Sequence, residues 1–144
     1  CASRYGTKSQ LSTGENQVKL SEIRDLLDAR VIVGEDKLDI EITTAFGADL
    51  MSDVLSFARS GCLLITGLSN PQAVRTAYAL DIAAILVCRG KSLTSKFIET
   101  ASELGIPILW TKFIMFESCG RLYQEGLTGC IRKTDGIEEK TLVR

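Results

Sequence analysis

Residues 62–71 read Cys62-Leu63-Leu64-Ile65-Thr66-Gly67-Leu68-Ser69-Asn70-Pro71 (CLLITGLSNP). An unbroken apolar run ending on a β-branched threonine has no polar face, which marks a strand covered on both sides rather than one half open to water. A short loop of Gly67, Leu68 and Ser69 follows. Asn70 and Pro71 then stand in the order favoured at a helix start: a side-chain acceptor at the cap, and a proline whose missing N–H costs nothing in the first turn. A doubly covered strand feeding directly into a helix is the building unit of a parallel sheet, whose crossover helices lie on its faces.

The same unit recurs on either side. Ile82 to Cys88 is a second continuous apolar run, followed by helical spacing at Phe97, Ile98, Ala101 and Leu104, with Gly105 at the C-cap position. Pro107 to Trp110 reads as a short strand, its proline marking a strand start or an edge. Met115, Cys119, Leu122 and Tyr123 line a last helix that stops at Gly126. Upstream, Leu20, Ile23, Leu26 and Leu27 have helical spacing, and Val31 to Val33 form a strand ended by Gly34. Ile40, Ile42, Thr44 and Phe46 alternate as one half-buried strand up to Gly47, and Leu50, Met51, Val54, Leu55 and Ala58 form a helical stripe. The helix from Pro71 to Leu80 is expected to bury Val74, Ala77 and Leu80. The predicted class is α/β, a parallel or mostly parallel sheet of about four to six strands with helices on both faces.

At 144 residues the chain has the size of one domain. Residues 1–17 are polar and aperiodic and read as a flexible arm or linker; residues 18–127 form the packed α/β domain; residues 128–144 are a mixed-charge tail that adds an edge strand or stays mobile. The chain opens on Cys1 rather than Met, which leaves a processed terminus, a cloning remnant and a piece of a larger protein all open. With 17 basic and 18 acidic residues there is no basic footprint for nucleic acid or for anionic membranes. The longest apolar run falls far short of a bilayer span and the N-terminus lacks a signal-peptide pattern, so a cytoplasmic protein is expected. Five cysteines at irregular spacing and the lack of any histidine argue against a metal site, and no cofactor is expected.

Residues 87–92 (Val87-Cys88-Arg89-Gly90-Lys91-Ser92) contain the last three residues of a phosphate-binding P-loop. That loop needs a glycine four residues before its Gly-Lys pair so that backbone amides converge on phosphate oxygens, and here the position is Ile85, inside a strand. Triphosphate chemistry of that kind is excluded. In an open parallel sheet ligands bind beyond the carboxyl ends of the strands, which directs attention to Gly47 to Asp49, Thr66 to Asn70, Arg89 to Ser92, and Thr111 with Lys112. Gly67, Ser69, Asn70, Arg89, Gly90 and Lys91 are the candidate binding residues for a small anion such as a nucleotide or phosphometabolite, with Asp49, Asp53 and Lys112 as secondary candidates. The plain alternative is that the glycines permit turns, Ser69 and Asn70 cap a helix, and the cations are solvated. An enzyme of phosphoryl or acyl transfer would use Asp49, Asp53 and Lys91; a redox sensor would use Cys119 or Cys130, although Cys119 falls on a buried helical stripe and no histidine can activate it. No catalytic residue is assigned.

Asp49-Leu50-Met51-Ser52-Asp53-Val54-Leu55, the turn from Ile65-Thr66-Gly67 to Asn70-Pro71, and Met115-Phe116-Glu117 with Cys119 to Tyr123 resemble the DRTGG domain family over about residues 18–127. That family is similar to the N-terminal domain of HPr kinase/phosphorylase, whose P-loop lies in a separate domain with no counterpart here. The resemblance implies an α/β regulatory or assembly module that forms an oligomer, a homodimer by expectation, and no kinase activity. The name pattern itself is weak: on a loose alignment its Asp-Arg falls near Ser69 to Pro71 and its Thr-Gly-Gly on Cys88 to Gly90, where only Gly90 matches.

Overall fold

The computed structural model describes residues 17–143, so the arm expected over residues 1–17 falls, except for Gln17, outside the described residues. In chain order the elements are β1 (Val18–Lys19), α1 (Leu20–Leu26), β2 (Arg30–Val33), β3 (Glu41–Ile42), β4 (Thr44–Gly47), α2 (Met51–Phe57), β5 (Leu63–Thr66), α3 (Pro71–Ala79), β6 (Ala84–Val87), α4 (Ser95–Leu104), β7 (Ile108–Trp110), α5 (Met115–Glu125) and β8 (Thr128–Gly129). The main sheet has six strands in the order β2-β7-β6-β5-β4-β8. All its neighbours are parallel except β2, which lies antiparallel on β7 with Arg30 opposite Trp110.

Alternation along the buried strands divides the core in two, because successive side chains of a strand point to opposite faces. Leu63, Ile65, Ala84, Leu86 and Leu109 pack on one face with Leu20, Ile23 and Leu27 of the α1 segment and Leu122 of α5. Leu64, Ile85, Val87 and Ile108 pack on the other with Val54 of α2, Val74 and Ala77 of α3, and Phe97 and Ala101 of α4. The product is three layers, helices on both faces of a mostly parallel sheet. Local signals set the helix ends: Asn70 accepts from the Ala73 N–H at 3.0 Å with Pro71 in the first turn, Thr94 caps α4 at 3.1 Å, and Gly105 and Gly126 end α4 and α5 in the left-handed region.

Four expectations are corrected. The single strand expected from Ile40 to Phe46 is two: β3 pairs antiparallel with β1 in a separate ribbon, and only β4 joins the main sheet. Ile42 is fully buried in the layer of α1 and the chain turns at Thr43, whose carbonyl takes the Thr128 N–H; an uninterrupted period of two gives no warning of such a change of sheet. The α2 stripe is only partly inward, with Leu50 and Leu55 exposed around a buried Val54. On α5 the inward face is Met115, Cys119 and Leu122, and Tyr123 points outward; Leu80, after α3, is half-buried rather than buried. Beyond residue 127 the chain adds β8 to the free side of β4, parallel to it.

Leu86 lies in the middle of the sheet with no access to water. Leu86→Ala is expected to cost about 2–5 kcal/mol of stability through lost burial and a cavity. Leu55→Ala, on the exposed side of α2, is expected to change stability by less than about 0.5 kcal/mol in the same urea denaturation series.

Candidate ligand-binding rim

Parallel β4, β5, β6 and β7 end on one rim, and antiparallel β2 begins there. At the β4–β5 side the organising group is Asp49, in the loop between β4 and α2. One carboxylate oxygen accepts the Gly67 N–H at 2.7 Å and the Thr66 hydroxyl at 3.1 Å; the other lies 3.4 Å from the Arg89 guanidinium. The Gly67 N–H is the chief reason its carboxyl is held below the usual carboxylate range, with Thr66 and Arg89 adding to it and partial burial opposing. Thr66 in turn accepts from the Leu68 N–H at 3.1 Å. Arg89 lies so close over Gly67 that a Cβ there would overlap the guanidinium and push it aside. Asp49 therefore occupies the position an incoming anion would need in order to meet both the Gly67 amide and Arg89.

The turn after β6 is built the same way. Arg89 (φ 59°) and Gly90 (φ 64°) are both left-handed, the arginine in a region that ordinary residues avoid. Their N–H groups donate to Phe113 O (2.7 Å) and Thr111 O (2.9 Å), so these two amides are taken by the neighbouring loop. Ser69 donates to Ser92 O at 3.2 Å, and Asn70 caps α3. Of the six residues singled out from sequence, Gly67, Ser69, Asn70, Arg89 and Gly90 are thus engaged in framing the loops. Lys91 differs: it is half-buried and lines a cleft. Asp53 is exposed in the first turn of α2, where a carboxylate faces the positive end of the helix dipole.

Toward β7 and β2 the rim opens into two clefts. One, of about 680 Å³, is lined by Leu27, Asp28, Arg30, Trp110, Lys112 and Phe113 among others; the second, of about 240 Å³, is lined by Arg30, Ile32, Lys91, Ser92, Leu93 and Trp110. Arg30 and Trp110 are common to both. The walls are tied together at Thr111, a buried residue whose hydroxyl donates to Leu27 O at 2.7 Å and accepts from the Phe113 N–H at 3.2 Å. The Trp110 indole N–H donates to Lys91 O at 2.6 Å, which fixes the ring. Arg30 and Trp110 escaped the sequence reading because only the antiparallel pairing of β2 with β7 brings them together; a tryptophan at a strand's carboxyl end was the available signal. A larger hollow of about 860 Å³ lies at the opposite end of the strands, near Gly61, Asp81 and Pro107, where Lys37 donates to Gly105 O at 2.7 Å.

The four described cysteines are free thiols. Burial pushes Cys62 up to about 12 and also raises Cys88 and Cys119, which lowers their thiolate content. Cys130 is half-buried, its Sγ 3.7 Å from Phe57 O. Among the described residues no cluster of three or more metal-ligating side chains occurs, and no helix is long and apolar enough to cross a membrane.

Fold and rim together define an open α/β domain whose loops converge at the carboxyl ends of the strands. The family model described as DRTGG domain matches residues 22–124, and the chain belongs to that family. Among solved structures, the chain is similar to the CBS and DRTGG domains of the regulatory region of Clostridium perfringens pyrophosphatase, complexed with its activator diadenosine tetraphosphate. The two share 16% sequence identity and a TM-score of 0.68, over 92% of this chain and 60% of that one. The chain thus spans about three-fifths of the structure it matches, and the likeness is one of fold. No curated protein matches the sequence.

Asp49→Asn is expected to cost about 1 kcal/mol at neutral pH, a charge-assisted interaction discounted for the exposure of the pair. Because Asp49 ionises more readily folded than unfolded, its contribution is complete above the unfolded carboxylate pKa and is lost as pH falls through the lower folded value. The gap between wild type and variant in urea denaturation should therefore close in acid. Gly67→Ala, which displaces Arg89 from the same pair, should be less than additive with Asp49→Asn.

Proposed function

We propose that this chain is a non-catalytic regulatory module that self-associates and binds a small anionic ligand, a nucleotide or phosphometabolite, at the strand-end rim. The observation that carries the ligand half is the placement of Lys91 and Lys112 on the clefts beside β7, next to loops in which the Gly67, Arg89 and Gly90 amides and the Asp49 carboxylate already have partners. Membership of the DRTGG family, and a fold shared with a regulatory region that binds a nucleotide activator, support it. The likeness to the N-terminal domain of HPr kinase/phosphorylase belongs to the same proposal and brings no kinase activity, since Ile85 occupies the place of the P-loop glycine. A cytoplasmic location and work within a larger protein are further parts of it.

Self-association rests on α5. Phe116 and Tyr123 are 83% and 66% exposed on one side of that helix with Gly120 between them, around a hollow of about 440 Å³. A second copy packed antiparallel across Gly120 sets each Phe116 beside the Tyr123 of its partner, a self-complementary contact that a two-fold axis permits. The transferase reading is weaker: neither Asp49 nor Asp53 lines the clefts that Lys91 and Lys112 line, and a carboxylate held by three donors with a lowered pKa is a poor base. The redox reading is weaker as well, because burial suppresses the Cys119 thiolate.

Thermal-shift screening against nucleotides and phosphometabolites tests the ligand half. Saturable stabilisation by at least one anion is expected, and no stabilisation by any compound at millimolar concentration would remove it. Light scattering tests the other half: the purified protein should be a dimer and Phe116→Asp a monomer, whereas a wild-type monomer at high micromolar concentration contradicts self-association.

A further inference from the structure

Resting on that reading, we infer that the paired clefts around Arg30 and Trp110 form a binding site for a nucleoside polyphosphate, with its base on one side of the sheet's end and its phosphates on the other. The two chambers share one wall but differ in chemistry. The smaller, on the side of α4, is walled by Ile32, Leu93 and the Trp110 ring, an apolar slot suited to a flat heterocycle. The larger, on the side of α1 and α5, carries Lys112 and the carboxylate of Asp28, with Arg30 and Trp110 on the wall that it shares with the smaller. Arg30 lies directly opposite Trp110 in the β2–β7 ladder, so both side chains project from the same face of the sheet. Because Arg30 lines both chambers, it supplies a cation where a ribose-linked phosphate would pass from one to the other, and Lys91 lines the smaller one.

Two features make this a built site rather than a surface fold. Thr111 bonds to both walls of the larger chamber, and the Trp110 indole N–H is held by Lys91 O, which fixes the ring and leaves no donor on it unsatisfied. The other half of the rim offers an anion much less, since Asp49 already holds the Gly67 amide and Arg89. Together the chambers lie within the size range of small-molecule sites, roughly 300–1,000 Å³.

Trp110 is the sole tryptophan of the chain and is its own reporter. ATP, pyrophosphate and adenosine are titrated into the whole protein, followed by tryptophan emission and by calorimetry. ATP is expected to change the emission saturably and to bind at least about ten-fold more tightly than pyrophosphate or adenosine. Arg30→Ala and Lys112→Ala, both at exposed positions, should each weaken ATP by about ten-fold while Asp53→Ala does not, with urea denaturation confirming that all three are folded. ATP binding by calorimetry that leaves the emission unchanged and is indifferent to Arg30→Ala and Lys112→Ala would overturn this site while leaving a ligand-binding rim elsewhere. Pyrophosphate binding as tightly as ATP would overturn the base assignment, and no binding of any of the three would overturn the site together with the nucleotide form of the proposed function.

Discussion

Water has no access to β5 and β6. Every side chain from Leu63 to Ile65 and from Ala84 to Val87 is at most 2% exposed, and the two strands pair in parallel through Leu63 with Ala84 and on to Thr66 with Val87. A strand buried on both faces must satisfy its polar backbone within the sheet, and its parallel neighbour must be reached by a helix crossing over a face. The helices of both layers, the alternation that divides the core, and the gathering of loops at one end all follow from that burial. Truncation within these strands costs cavities or stranded polar groups, whereas the loops at the rim are free of that constraint.

The rim shows how a protein closes most of such a site against ligands. Asp49 plays the part of an internal anion: it collects the Gly67 N–H, the Thr66 hydroxyl and Arg89, the donors that in an emptier loop would face solvent. The turn at Arg89 and Gly90 gives its amides to Phe113 and Thr111. What is left open lies to one side, where the sheet changes direction. An antiparallel strand at the edge of a parallel sheet sets its first residues beside the last residues of its neighbour, and in this chain those are Arg30 and Trp110.

Much of the fold was legible in the sequence because its signals are local. Unbroken apolar runs, Asn70 before Pro71, and glycines after Leu104 and Glu125 each bear on a few adjacent residues, and each has its counterpart in the structure. Thr43 was not legible, since alternation continues through the point where the chain leaves one sheet for another. The rim's location could be inferred from strand direction, but the duties of its residues could not. Gly67 and Arg89 look like a phosphate cradle in sequence and are engaged by a carboxylate 18 and 40 residues upstream of them. Arg30 and Trp110 are 80 residues apart in the chain and meet only through the sheet order.

The proposed ligand site lies at the carboxyl end of this sheet, on its β7 side. Amide chemical-shift mapping of the isotopically labelled protein with ATP tests it most directly. Shifts are expected to concentrate at Arg30, Lys91, Thr111, Lys112 and the Trp110 indole N–H, with little change at Gly61, Asp81 and Gly105 around the hollow at the other end of the strands. Shifts concentrated at Gly61, Asp81 and Gly105 instead, or none at saturating ATP, would contradict it.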